Sequence, residues 1–255
     1  MRPMVYAHRG GAALAPENTL VAFGAGLAAG ADGIELDVRL SRDGVAVVMH
    51  DPTLDRTTDA TGPVDGRTAA ELAGLDAGCR FERDGGFPFK GVGIGVPSLG
   101  DVLDRHREAS IIIELKSPDP RLAEAVVAEI HAANAVSRVT VGSFQKGALD
   151  AVRTLAPAIR TGADTEDVRS GLDGVGARPV FHAFQVPEVF AGTRVVTPEF
   201  IARAHDAGVT VVVWTVNQMD DMRRLLDWGV DGLITDRPDI AVPLVREWYG
   251  RSGSQ

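Results

Sequence analysis

A chain of 255 residues, 45% hydrophobic and 24% charged, has enough apolar mass for a full core and suits a single alternating α/β domain. Its formal net charge of −9 excludes a basic surface wrapped around a nucleic-acid backbone, whereas a small-anion site needs only local positive charge. The lone cysteine, Cys79, cannot close an internal disulfide, and no CxxC or Cys/His zinc spacing is present. No run of about 18 or more apolar residues occurs, so membrane insertion is not expected. A candidate catalytic residue already stands at His8, which leaves no room ahead of it for a standard signal peptide and gives a cytoplasmic expectation.

In chain order, short β-branched runs alternate with stretches of helical period. The strands are expected at Val5–Ala7, Gly33–Val38, Ile111–Leu115, Val139–Gly142, Ile159–Gly162, Val180–Val186, Thr210–Val216 and Gly232–Thr235. The clearest helices are Thr19–Ala29, Pro120–Ala133, Pro198–Ala207, Met219–Trp228 and Ile240–Tyr249. Caps such as Asp119-Pro120 and Thr197-Pro198-Glu199 start helices, and Gly30, Gly208 and Gly229 stop them. Eight βα units in this length predict a TIM (β/α)8 barrel. The rival open sheet lacks its Gly-rich dinucleotide turn, because His8-Arg9-Gly10-Gly11 follows the first strand.

Residues 1–250 are therefore read as one barrel domain and 251–255 as a frayed polar tail. Residues 39–98 break the alternation and read as a small insertion subdomain after strand two, standing over the barrel mouth. The insertion opens on a hairpin signal, Ser41-Arg42-Asp43-Gly44, and holds a helical patch near Thr68–Ala73.

Parallel barrel strands should be almost continuously apolar, yet strand two reads Gly33-Ile34-Glu35-Leu36-Asp37-Val38. Glu35 and Asp37 are two apart and leave the same face, as do Glu114 and Lys116 on strand three. Buried carboxylates call for a cation, and three of them suit a hard ion, Mg²⁺, Ca²⁺ or Mn²⁺, over zinc. The competing reading is a structural ion-pair cluster in which Lys116 and Arg39 neutralise Glu35 and Glu114. Two adjacent strands carrying the anomaly at one depth weigh against it.

His8 and Arg9 end the first strand, where barrel enzymes carry catalysis. His50 ends the hairpin's return strand. An even-length turn would set it directly across from Asp37 or from Glu35. Imidazole both accepts and donates protons near neutral pH, so two of them beside a metal, Arg9 and Lys116 are the equipment for cleaving a phosphodiester. Arg9 as a surface ion-pair partner is the bland alternative. His106, His131 and His205 fall on helices and His182 within strand six, and all four read as structural. Trp214 either walls the pocket or is a core tryptophan under a loop; Asp236 and Arg237 read as a local pair capping the last helix.

With these residues in view, the chain resembles the glycerophosphodiester phosphodiesterase family. The resemblance is carried by Ala7-His8-Arg9-Gly10, Pro16-Glu17-Asn18-Thr19, Glu35-Leu36-Asp37-Val38, His50-Asp51 leading into Leu54-Asp55-Arg56-Thr57-Thr58, Glu114-Leu115-Lys116, Trp214-Thr215-Val216-Asn217 and Asp231-Gly232-Leu233-Ile234-Thr235-Asp236. These blocks stand in family order along nearly the whole chain. The resemblance implies a TIM barrel with a subdomain after strand two, His8 and His50 as general acid and base, and Glu35, Asp37 and Glu114 as ligands of one Mg²⁺ or Ca²⁺. It implies that Arg9 and Lys116 hold the phosphate, with Glu17 supporting. The implied reaction turns a glycerophosphodiester and water into glycerol 3-phosphate and an alcohol. Two alternatives stand beside it: lysophospholipase D-like cleavage of a lipid phosphodiester on the same site, and a catalytically silent phosphate-binding barrel. The silent barrel should lack a histidine or a carboxylate, and none is missing. Phe181 to Glu188 match no block tied to substrate binding.

Overall fold

Alternating short strands and capped helices close here into a ring. The computed structural model describes residues 2–173 and 179–252. Its strands are β1 (Met4–His8), β2 (Gly33–Leu40), β3 (Ala46–Val48), β4 (Ser110–Leu115), β5 (Val139–Gly142), β6 (Arg160–Thr161), β7 (Ala183–Pro187), β8 (Val189–Phe190), β9 (Thr193–Arg194), β10 (Thr210–Trp214) and β11 (Gly232–Thr235). Parallel ladders run in the order β6-β5-β4-β2-β1-β11-β10-β7, and a parallel bridge between Gly162 and Ala183 joins the two ends. Eight parallel strands with helices between them make a TIM barrel.

The helices are α1 (Leu20–Ala28), α2 (Ala69–Ala73), α3 (Leu99–Arg105), α4 (Pro120–Ala132), α5 (Lys146–Leu155), α6 (Thr165–Asp173), α7 (Pro198–Asp206), α8 (Met219–Trp228) and α9 (Pro238–Ser252). Their starts have local causes. The Thr19 hydroxyl accepts from the Ala22 amide (3.2 Å), Thr197 from Phe200 (3.1 Å), and Ser98 forms a capping box with Asp101. Outward residues of β2 and β4, among them Ile34, Leu36, Ile111 and Ile113, are fully buried against α1, α3 and α4, and a second cluster packs β10 and β11 on α7, α8 and α9. Inside the ring, Ile112, Val212 and Ile234 form a small apolar plug with Tyr6 and Trp214. Polar groups above that plug can only open toward the strands' C-terminal ends.

Between β2 and α3, residues 41–98 fold around their own core of Val47, Leu54, Val64, Leu72 and Val96. Leu54 and Leu72 are fully buried, worth about 2 kcal/mol each. Thr68 caps α2 in a capping box with Glu71.

Several expectations need correction. β2 continues through Arg39 and Leu40, so the departure from the barrel begins at Ser41. The hairpin loop is odd, not even: the Ser41 amide donates to the Val45 carbonyl (2.9 Å), leaving 42–44 as a three-residue loop with Gly44 at φ +80°. Val38 therefore pairs with Val48 and Arg39 with Val47, and the ladder stops before His50. His50 is thus not paired across from Asp37 or Glu35, and reaches the barrel mouth from the bend that follows. His182 precedes β7, and His106 is the C-cap residue after α3. Arg251 and Ser252 belong to α9, while the remainder of the tail, 253–255, lies outside the described residues.

Candidate active site

Strand register alone assembles the centre. In the β1–β2 ladder His8 pairs with Glu35, and in the β2–β4 ladder Asp37 pairs with Glu114. Side chains paired across parallel strands leave the same side of the sheet, so four ionisable groups rise together at the C-terminal rim. One oxygen from each of Glu35, Asp37 and Glu114 lies within 4.8 Å of the others. This buried acidic trio is able to hold a divalent metal ion.

Its electrostatics point the same way. Lys116 Nζ lies 2.9 Å from Glu114 Oε1 and 3.2 Å from Asp37 Oδ1, so an ion-pair cluster does exist. Glu35 is outside it: among the described residues its charged partner is His8, at 3.9 Å, and it accepts the Arg9 amide at 3.1 Å. Burial, reinforced by the neighbouring Asp37 charge, pushes the Glu35 carboxyl up to about 8. Burial also raises Glu114, only partly offset by Lys116. Burial works against ionised Asp37, yet Lys116, Arg9 and the Asn18 amide (2.9 Å) hold it below the usual carboxylate range. A trio short of positive charge at Glu35, built wholly of oxygen donors, fits a hard dication. Arg39 makes no ion pair with the trio: its guanidinium donates to the His50 and Lys116 carbonyls at 2.9 and 3.4 Å and meets the Asp37 and Glu114 charges only at longer range.

The two imidazoles are held alike. His8 Nδ1 lies 2.6 Å from Asp236 Oδ1, and His50 Nδ1 lies 2.6 Å from Asp51 Oδ1. An ionised carboxylate only accepts, so each Nδ1 carries the hydrogen; among the described residues neither Nε2 has a hydrogen-bond partner, and His8 Nε2 stands 3.9 Å from Glu35 Oε2. Asp236 is fixed in turn by Asn217, whose amide donates to Oδ2 at 2.7 Å and whose carbonyl oxygen accepts the Asp236 amide at 2.9 Å. Burial opposes charging of His8, but the Asp236 hydrogen bond and the Glu35 charge raise it above the ordinary imidazole range. For His50 burial prevails, aided by the Arg9 and Lys116 charges, and it falls below that range despite Asp51.

Arg9 occupies the left-handed region at φ +50°, a conformation that side chains other than glycine adopt at a cost of about 1–3 kcal/mol. Gly10 and Gly11 complete the turn at φ +90° and +95°. Gly10 is required on two counts, since a Cβ there would also stand 2.6 Å from the Ala22 backbone of α1. The turn aims Arg9 at Glu17 (Nη1 to Oε1, 2.9 Å), while its buried Nε, 3.3 Å from Asp37 Oδ2, makes no hydrogen bond. An unspent buried guanidinium donor at this point is suited to a phosphoryl oxygen.

A family model described as the glycerophosphoryl diester phosphodiesterase family matches residues 8–240. The chain belongs to that family. Over 97% of its length it is 35% identical to the glycerophosphodiester phosphodiesterase of Caldanaerobacter subterraneus subsp. tengcongensis, 99% of which is covered. The crystal structure of glycerophosphodiester phosphodiesterase from Agrobacterium tumefaciens superposes with a TM-score of 0.78 at 33% identity, over 94% of this chain and 98% of that one. An Oleispira antarctica phosphodiesterase, solved in complex with the product sn-glycerol-3-phosphate, superposes with a TM-score of 0.78 at 25% identity, over 96% and 97% of the two chains.

In this phosphodiesterase His8, Arg9, Glu35, Asp37, His50, Glu114, Lys116 and Trp214 line one cavity of about 480 Å³. Glu17 stands behind it, on Arg9. Away from the carboxylates the wall mixes apolar rings with polar groups: Trp214 meets Phe144 edge-to-face at 5.9 Å and Phe190 comes from the β8–β9 hairpin, while Asp164, Arg169 and Gln185 also face the cavity. The unassigned segment from Phe181 to Glu188 therefore leads into a wall of the phosphodiesterase cavity, through Gln185 and Pro187. Glu188 ties that hairpin down through Arg194 and through Arg224 at 2.7 Å.

The expected local pair of Asp236 and Arg237 does not form: Asp236 binds His8, and Arg237 pairs with Asp239 at 2.8 Å. Asp51, Arg56 and Asn217 are further polar residues of this phosphodiesterase missed as individuals. Their signal was present, since each lies inside a block that matches the family.

Proposed function

We propose that this enzyme hydrolyses glycerophosphodiesters to glycerol 3-phosphate and an alcohol, with His8 and His50 as the proton-transferring pair and one Mg²⁺ or Ca²⁺ held by Glu35, Asp37 and Glu114. The observation that carries the reading is two imidazoles on one cavity, each with Nδ1 locked on a carboxylate and Nε2 free, flanking a carboxylate trio deficient in positive charge. The product held by the Oleispira relative supports the substrate class.

The opposed shifts of the imidazoles support a division of labour. His50, the more readily neutral, takes through Nε2 the proton of the attacking oxygen, either water's or that of a glycerol hydroxyl whose cyclic phosphate water then opens; His8, the more readily charged, gives one to the leaving alcohol oxygen. Asp51 and Asp236 keep the tautomers and stabilise whichever ring is cationic. Arg9 Nε and Lys116 Nζ neutralise charge on the phosphoryl oxygens. When bound, the dication supplies further neutralisation of that kind.

A second reading keeps the site and takes a lysophospholipid. It is favoured by Phe144 and Phe190, 46% and 56% exposed, which both line the cavity and offer apolar surface to an acyl chain. One experiment tests both readings. Chelator-stripped protein resupplied with Mg²⁺ or Ca²⁺ is offered glycerophosphocholine or lysophosphatidylcholine while glycerol 3-phosphate and choline are followed. Release of glycerol 3-phosphate from the first substrate, abolished in His8→Ala and His50→Ala, is expected. Turnover close to wild type in either variant removes that histidine from the mechanism.

A further inference from the structure

Arg56 lies outside the cavity lining, on the inserted segment, with 47% of its side chain exposed. An arginine so placed ordinarily contributes little, since isolated surface pairs add almost nothing to stability. Here the guanidinium spends all three nitrogens. Nε and Nη2 donate to the two oxygens of Asp51 at 2.6 and 3.1 Å, and Nη1 and Nη2 donate to the two oxygens of Glu17 at 2.7 and 2.8 Å. Both carboxylates are thus gripped at both oxygens by one planar group, a geometry that an ammonium cannot reproduce.

The two carboxylates serve different functional groups. Asp51 holds the His50 ring on the inserted segment; Glu17 holds the Arg9 guanidinium on the loop after β1. Arg56 therefore closes an alternating chain of charges, His50–Asp51–Arg56–Glu17–Arg9–Asp37, that crosses from the insertion to the barrel. Arg39 already fixes the His50 backbone through its carbonyl, so what is left to set is the ring. We propose that Arg56 is a positioning residue, which orients the His50 imidazole and the Arg9 guanidinium as one unit. The inference rests on the reading that His50 moves a proton and Arg9 holds the phosphate. Without Arg56, Asp51 and Glu17 become like charges converging on a vacated point, and the acceptor that orients His50 turns away.

Wild type, Arg56→Gln, Arg56→Lys and Arg56→Ala, each supplied with Mg²⁺, are compared in three ways. The first is kcat and KM for glycerophosphocholine. A drop in kcat of roughly tenfold or more is expected for Gln and Lys, with KM moving less, as misorientation of a reacting group produces. The second is rescue: millimolar free guanidinium should restore much of the kcat of Arg56→Ala. The third reads geometry directly, through the downfield Nδ1–H proton resonances of ¹⁵N-histidine-labelled protein. The His50 resonance should be lost or shifted in Arg56→Gln and the His8 resonance retained as an internal control. Thermal melts run alongside establish that each variant remains folded. Unchanged kcat in Arg56→Lys overturns the inference, and so does a His50 resonance that stays in place in Arg56→Gln. A wild type that turns over no glycerophosphodiester would instead sink the hydrolytic reading, and the histidine resonances would still decide the role of Arg56.

Discussion

His8 and Asp236 stand 228 positions apart, yet Nδ1 and Oδ1 are 2.6 Å from each other, the same separation as between the sequence neighbours His50 and Asp51. One dyad is made by barrel closure, because Ala7 pairs with Thr235 in the β1–β11 ladder and sets the next residues side by side. The other is made by a bend. Convergence of two unrelated local structures on one ring geometry is what the proposed pair of proton carriers would require.

Asp236→Asn tests the first dyad. The amide can present its NH₂ to Nδ1 and stabilise the tautomer with hydrogen on Nε2, which cannot take up a proton from the cavity side and no longer supports the cationic ring. kcat should fall by about two to four orders of magnitude with the fold retained. Steady-state kinetics beside a thermal melt checks this, and a loss below threefold would separate Asp236 from the chemistry.

Much of this centre was legible in the sequence. Glu35, Asp37, Glu114 and Lys116 stood out because parallel barrel strands leave no room for charge without a reason. What stayed hidden depended on closure and parity. Asp236 reads as the partner of Arg237 because nothing in a linear sequence ranks a partner across the β11–β1 seam above a neighbour. The His50 register failed because the loop's parity hangs on a single left-handed glycine, Gly44, which adds a third loop residue. Arg56 escaped because its value lies in two carboxylates from separate elements.

Metal binding should be strongly pH-dependent. In the metal-free protein Glu35 titrates at about 8, so below that pH a proton must leave before the carboxylate can bind an ion. Apparent affinity for Mg²⁺ or Ca²⁺ should rise by up to roughly tenfold per pH unit below about 8 and level off above it. Calorimetry in buffers of different ionisation enthalpy should detect close to one proton released. Affinity independent of pH would take Glu35 out of the ligand set.

The same carboxyl carries a stability signature in metal-free protein. Its folded value lies above its unfolded value near 4.5, so between those limits the native state binds more protons than the unfolded chain. The Glu35 contribution is fully present below about 4.5 and is lost as pH rises through about 8. Urea midpoints of stripped wild type should therefore decline across this window relative to Glu35→Gln, which has no such group. Parallel pH profiles for the two proteins would contradict the assignment.

Gly10→Ala asks how firmly the turn that presents Arg9 is specified. The new methyl would meet the Ala22 backbone at 2.6 Å and hold an L side chain at φ +90°. A loss of about 2–4 kcal/mol is expected from overpacking and backbone strain together. Urea denaturation measures it, and a loss below about 1 kcal/mol would mean that α1 yields at no cost.

Phe190 separates the two substrate readings. It is 56% exposed at the tip of a hairpin whose base is anchored by Glu188, so truncating it removes cavity wall without removing core. On the proposed engagement of its phosphate by Arg9 and Lys116, glycerophosphocholine should lose less than about threefold in kcat/KM in Phe190→Ala. An acyl chain laid against the ring would forfeit about 1.4 kcal/mol of apolar contact, near tenfold in kcat/KM for a lysophospholipid. Equal losses on both substrates would show that Phe190 contacts the glycerophosphate portion they share, and the lipid reading would then rest on Phe144 alone.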